Sequence, residues 1–169
     1  MTQYYWISSG TAFIFYTSMS TKINGLELPS LLLDLLAKGK WELPEKQEKF
    51  KNLFKDTLAV QSINGLLYSL KTMNSETKVF QEDSPDLVLM FHGQKDSDFN
   101  PGDVDPTKII CIGDLGLGSD QPIALDYRLD ESNPRVITIL WRSLPEGNRW
   151  ITISENFEEF VEMIGLESC

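Results

Sequence analysis

KIICIGDLGLGSDQPIALDYR (residues 108–128), NPRVITILWRSLPEGNRWITIS (133–154) and ENFEEFVEMIGL (155–166) decide the fold of this chain. The run IICI at its start is apolar at every position, which predicts an inner strand covered on both faces. In PIALDYR, Ile123, Leu125 and Tyr127 alternate with Ala124, Asp126 and Arg128. In RVITILWR, Ile137, Ile139 and Trp141 alternate with Val136, Thr138 and Leu140, and in RWITIS Ile151 and Ile153 oppose Trp150 and Thr152. A period of two predicts strands. The connections at residues 130–134 and 143–148 are short and carry Pro or Gly, so the strands pair antiparallel; a parallel crossover needs about a dozen residues or more. The closing segment predicts an amphipathic helix with Phe157, Phe160, Val161 and Ile164 on its buried side. Ser154 or Asn156 caps it, and acids in its first turn complement the helix dipole.

Upstream the signals are more mixed. TAFIFYT (residues 11–17) predicts a strand, with YYWI (4–7) as a partner. Asn24-Gly25 marks a turn. LPSLLLDLLAKG (28–39) predicts a helix begun by Pro29 and ended by Gly39. Pro44 opens a second helix, EKQEKFKNLFKD (45–56), with Phe50, Leu53 and Phe54 as its apolar side. Asn64-Gly65 marks another turn. Residues 66–81 keep helical spacing through Leu66, Leu70 and Met73, although residues 77–80 also suit a strand. LVLMF (87–91) predicts a buried strand, and residues 94–107, rich in Asp, Pro and Gly, predict a long mobile loop. The whole predicts an α+β fold: residues 1–169 as a single domain, with a central antiparallel sheet ending in a C-terminal meander and flanked by helices.

Composition narrows the class. A chain of 169 residues with 41% hydrophobic and 11% aromatic content suits one globular domain. No apolar run reaches the roughly 18 residues of a membrane span, and the first residues lack a basic start and a cleavage site. Of the two cysteines, Cys111 falls in an apolar strand and Cys169 is the last residue, so no disulfide and a cytoplasmic location are expected. The net charge of −10 is unevenly spread. Residues 1–81 hold 9 Lys against 7 acids, and residues 82–169 hold 18 acids against 6 Lys and Arg. That acidity argues against direct nucleic-acid binding, which needs clustered cations. It suits either a basic protein partner or simple solubility.

The residues from Gly113 to Asp120, GDLGLGSD, draw the first functional reading. Their spacing is G-x-x-G-x-G and a strand follows, so there is no helix N-terminus to receive a phosphate and no P-loop lysine. Calcium would use Asp114, Asp120 and Asp126, but a spacing of six fits no EF-hand. The plainer expectation is that the glycines allow a bulge and the aspartates cap turn amides. Asp126 lies inside a strand pattern, where an acid is disfavoured; it either accepts bonds from the glycine loop or pairs with an arginine on a neighbouring strand. With His92 the only histidine, neither a Ser-His-Asp relay nor a Cys111–His92 dyad is compelling. Arg128, Arg135, Arg142 and Arg149 recur every seven residues, but Pro134 and Pro145 break any helix, so they are expected to pair with acids near strand ends. Among the tryptophans, Trp141 is assigned to the core, whereas Trp41 and Trp150 are the expected exposed anchors.

Taken together, IGDLGLGSDQPIALD, RWITIS and NFEEFVEMIGL, with the Pro-led LPEKQEKFKNLF upstream, resemble the SUKH superfamily of bacterial immunity proteins and fungal cell-wall-synthesis regulators. The resemblance is clearest over residues 108–166. The family's early "LP…F…NGG" segment is only approximated by Ser62-Ile63-Asn64-Gly65. The resemblance implies an α+β fold with no cofactor and no reaction, and in bacteria an immunity protein that neutralises a cognate toxin, such as a basic nuclease domain. On that reading Asp114, Asp120, Asp126, Trp41 and Trp150 are the candidate partner contacts. The alternatives are an intracellular regulator or scaffold of the same fold, or a small-ligand or metal-binding protein using the Gly113 to Asp120 loop.

Overall fold

A computed structural model describes residues 21–54, 65–82, 91–95, 98, 100–116, 121–141 and 147–166. The strands expected at residues 4–7 and 11–17 lie outside these, as do residues 87–90 of the strand expected at 87–91. Phe91, at the end of that stretch, is helical. The architecture is α+β, with a small hairpin, four helices and one antiparallel sheet among the described residues.

Strands β1 (Lys22–Ile23) and β2 (Leu26–Glu27) form the hairpin predicted at Asn24-Gly25. Both turn residues take left-handed backbone, φ 51° and 83°, as a two-residue hairpin turn demands. Helix α1 (Ser30–Ala37) follows Pro29 and ends where Gly39 takes φ 64°. Gly39 N–H donates to Leu36 O, and Lys40 N–H to Leu35 O, closing the last turn. Helix α2 (Glu48–Phe54) starts later than Pro44, because a turn in which Gln47 N–H donates to Pro44 O comes first. Phe50 and Phe54 are fully buried, as expected of its apolar side.

Leu66 and Leu67 are not helical. They form β3, paired with Asp114 and Gly113. The helix begins only after Ser69, whose Oγ accepts from Thr72 N–H as an N-cap. Helix α3 (Leu70–Glu82) then carries Thr77 and Phe80 inward, which removes the strand alternative for residues 77–80. The expected loop 94–107 also contains structure: β4 (Pro101–Gly102) pairs with the strand 149–154, and a 3-10 turn (Pro106–Lys108) is capped by Asp105.

The meander forms as predicted: β5 (Ile109–Asp114), β6 (Pro122–Asp126), β7 (Arg135–Leu140) and β8 (Arg149–Ser154), all antiparallel. The sheet order is β3-β5-β6-β7-β8-β4. Helix α4 (Phe157–Ile164) closes the fold with Phe157, Phe160, Val161 and Ile164 buried. Asn156 is its cap, accepting from Glu159 N–H at 2.8 Å, while Ser154 Oγ instead donates to Asn156 O.

One feature departs from the alternation in the sequence. Ala124, Asp126, Val136 and Thr138 are all fully buried although they oppose the strongly apolar positions of their strands. The register explains this. Ala124 faces Ile137 and Leu125 faces Val136, so the apolar set of β7 shares a sheet face with the weaker set of β6. Each face is thereby apolar across alternating strands, and both are covered. Helix α3 packs along β5, and α4 packs against β7 and β8. Phe80 of α3 meets Trp150 edge-on at 5.9 Å between ring centroids.

Candidate functional site

The expected partner contacts divide between two ends of one hairpin. Asp114 ends β5 opposite Pro122, whereas Asp126 ends β6 opposite Ile109. Four residues of strand at about 3.3 Å each separate Asp126 from the Asp114 end by about 13 Å. A shared calcium site at Asp114 and Asp126 is therefore ruled out by geometry. Asp120 lies outside the described residues, and no cluster of three or more metal-ligating side chains occurs among the described ones.

At the first end, Gly113 and Asp114 belong to the strand rather than to a free loop. A register shift between Cys111 and Gly113 marks the bulge that the glycine pattern suggested. A Cβ on Gly113 would lie 2.7 Å from Leu66 O, so only glycine lets β3 approach. Asp114 accepts from Gly116 N–H and, at 3.3 Å, from Gln121 N–H. It caps turn amides, as the plainer sequence reading held. Gln121 Nε2 continues the tie to Ile139 O at 2.9 Å.

At the other end Asp126 is fully buried and bound by two arginines. Its Oδ1 accepts from Arg128 N–H and Nε, and its Oδ2 from Arg128 Nη2, Arg135 Nε and Arg135 Nη2, at 2.8–3.1 Å. Arg135 is the neighbouring-strand arginine, directly opposite Asp126 in the ladder. Arg128 reaches on to Asp103 Oδ1 and Asp103 O, and Arg135 Nη1 donates to Asn100 Oδ1. The cluster thus fastens the chain around β4 to the end of the β6–β7 hairpin. Burial pushes the Asp126 carboxyl upward, but hydrogen bonds and charge from Arg128, with help from Arg135, outweigh it and hold the group below the usual carboxylate range. Of the heptad-spaced arginines, Arg142 lies outside the described residues, and Arg149 donates to Asn148 O.

The two tryptophans expected at the surface are in the core. Trp41 is 4% exposed and packs against Phe157 with ring centroids 5.6 Å apart and the rings tilted at 43°; Trp150 is 0% exposed and donates through Nε1 to Phe91 O. The connection that seemed to leave Trp41 outside folds back so that its indole donates to Tyr68 O at 3.1 Å. Trp150 is on the face that Phe80 covers. Neither offers a free ring to a partner, which corrects the expectation that they are exposed anchors. Trp141 is partly buried against the core, with Phe91 edge-on to it at 5.4 Å.

Beside the Asp114 end, Leu36, Trp41, Leu43, Gln47, Leu66 and Leu67 line most of a cavity of about 450 Å³. Trp41 and Gln47 donate to the backbone carbonyls of Tyr68 and Gly65, the residues that flank β3. Cys111 is buried, and burial pushes its thiol up to about 12, far from a reactive thiolate at neutral pH. His92 packs on Phe80 with ring centroids 5.5 Å apart. Among the described residues, then, these polar groups serve packing and capping. No helix among them is long and apolar enough to cross a membrane.

The β6–β7 turn falls where the sequence places a tight connection, at residues 130–134, but sequence reasoning did not single out the surface it presents, Leu129 to Asn133. Asp130 Oδ1 accepts from Ser132 N–H, Ser132 Oγ and Asn133 N–H at 2.7–3.2 Å. The order Asp-x-Ser-Asn is itself the signal of an Asp-capped turn. Glu131 accepts from Lys108 Nζ at 2.6 Å. Immediately before these anchors Leu129 stands 73% exposed. No protein-family model, curated protein or solved structure matches this chain.

Proposed function

We propose that this protein is a non-enzymatic protein-binding module, an immunity protein of the SUKH type that binds and neutralises a cognate toxin in the cytoplasm. The observation that supports it best is the use made of the polar residues in the segment carrying the resemblance. Asp114 caps a turn and Asp126 balances two arginines, so both are committed to the fold. What that half of the chain presents outward is acid: Glu155, Glu158, Glu159 and Glu162 on and before α4, and Asp130 and Glu131 at the β6–β7 turn, are all exposed. Such a surface complements a cationic cleft, for example that of a nuclease toxin, in place of phosphates.

The decisive experiment is binding of the purified protein to the toxin domain encoded by an adjacent gene, measured by calorimetry at low and high salt. Expected are a 1:1 complex that weakens as salt rises and loss of toxin activity in the complex. An adjacent gene with no toxin domain, or a toxin domain that does not bind, refutes the reading.

A further inference from the structure

A lone exposed leucine on a protein surface needs no special account. Leu129 differs in how firmly its surroundings are fixed. On its N-terminal side Arg128 is fastened to buried Asp126 and to Asp103. On its C-terminal side Asp130 gathers the amides of Ser132 and Asn133 and the Ser132 hydroxyl. Lys108 ties Glu131 back to the neighbouring 3-10 turn. Five consecutive exposed residues, Leu129 to Asn133, are thus held in one conformation with an apolar side chain first among them. A preformed turn binds without the entropy of ordering a loop, and a side chain that enters a desolvated pocket within a ring of water-excluding contacts can anchor an interface.

The charge around it selects the partner. Asp105, Asp130 and Glu131 are exposed beside Leu129, with Lys108 already engaged by Glu131. A second copy of this chain, itself at −10, would meet repulsion. We infer that the β6–β7 turn is the docking tip of this protein, with Leu129 entering an apolar socket rimmed by Lys or Arg on a basic protein partner. The inference rests on the immunity reading and moves its contact surface from Asp114, Asp120, Asp126, Trp41 and Trp150 to the exposed β6–β7 turn.

The test uses the full chain and the toxin domain encoded by the adjacent gene. Leu129→Ser should raise Kd by roughly tenfold or more, as loss of a hot-spot anchor does, with an unchanged melting temperature. Glu131→Lys should slow association and flatten its salt dependence. Val79→Ser, at another exposed apolar residue (58% exposed), should leave Kd unaltered. If wild type binds and Leu129→Ser binds equally well, the docking tip is wrong while the immunity reading survives. Equal weakening by Val79→Ser would also overturn the tip. If wild type itself fails to bind, the immunity reading falls and takes the tip with it.

Discussion

Asp114 and Asp126 end adjacent strands of the same hairpin, yet they are fastened in different ways. Among the described residues Asp114 accepts from neutral backbone amides, those of Gly116 and Gln121. Asp126 faces two guanidinium groups and is wholly shut off from solvent. The first carboxylate shapes a turn. The second joins β6 and β7 to the chain around β4, elements far apart in sequence, through Arg128, Arg135, Asp103 and Asn100. A buried ion cluster holds only if every partner is present, so the sheet should be brittle at the Asp126 end and forgiving at the Asp114 end.

The largest effect should follow from Asp126→Ala, which leaves the buried Arg135 and half-buried Arg128 with their mutual repulsion unbalanced. Breaking such a pair by removing one partner typically destabilises by about 3–5 kcal/mol. Urea unfolding would measure it, and a loss near 1 kcal/mol would mean that the cluster does not fasten the sheet. The same group fixes an acid response. Its carboxyl lies below the usual value in the folded protein, so its stabilisation is complete above the unfolded carboxyl value of about 4 and disappears as pH falls through the lower folded value. The urea midpoint of wild type should therefore fall between about pH 5 and pH 2, and more steeply than that of the Asp126→Asn variant. Parallel profiles would show that Asp126 is not the titrating group.

How much of this was legible beforehand differs between the two ends. The four meander strands, their antiparallel order and the buried stripe of α4 follow from period-two and helical spacing, and the structure has them all. An arginine partner for Asp126 was legible as one of two options, because an acid within a strand needs a cation or amides. Which arginine required the register, and the register is a tertiary fact. The same ignorance misplaced the faces: Ala124 and Thr138 look solvent-facing within their own strands until they are set opposite Ile137 and Ile123. Trp41 and Trp150 look exposed in the sequence because nothing local says that a connection will fold back to bond Tyr68 O, or that α3 will cover Trp150. Helical spacing continues through Leu66 and Leu67, so periodicity alone runs the helix too far; Ser69, a good cap, is the start signal that spacing does not show.

A middle-sized effect sits at the Asp114 end and comes from sterics instead of charge. Gly113→Ala places a methyl 2.7 Å from Leu66 O, a backbone atom that moves only if β3 moves. Forced overpacking of this kind costs about 1–3 kcal/mol. Because Leu66 and Leu67 form only a two-residue edge strand, the damage should stay local. Hydrogen exchange should show faster exchange at Tyr68 N–H, which donates to Ile112 O, with the β6–β7 ladder protected as before. Faster exchange across the whole sheet would mean that β3 is integral to it and that the two ends are not separable.

The smallest effect, and the sharpest comparison, is the response of each aspartate to asparagine. Asparagine keeps a carbonyl oxygen in nearly the same place but carries no charge. At position 114 the described partners are neutral N–H groups, so Asp114→Ala should lose about 1 kcal/mol, the usual worth of a capping side chain, and Asp114→Asn should recover most of that. At position 126 the partners are cations, so Asp126→Asn should recover little, since buried Arg135 then loses its carboxylate and half-buried Arg128 keeps only that of Asp103. Paired urea titrations of the four variants read this directly. Equal recovery at both positions would mean that Asp126 acts as an acceptor alone. The Arg128 and Arg135 charges would then have to be balanced elsewhere, and the contrast between the two ends of the hairpin would vanish.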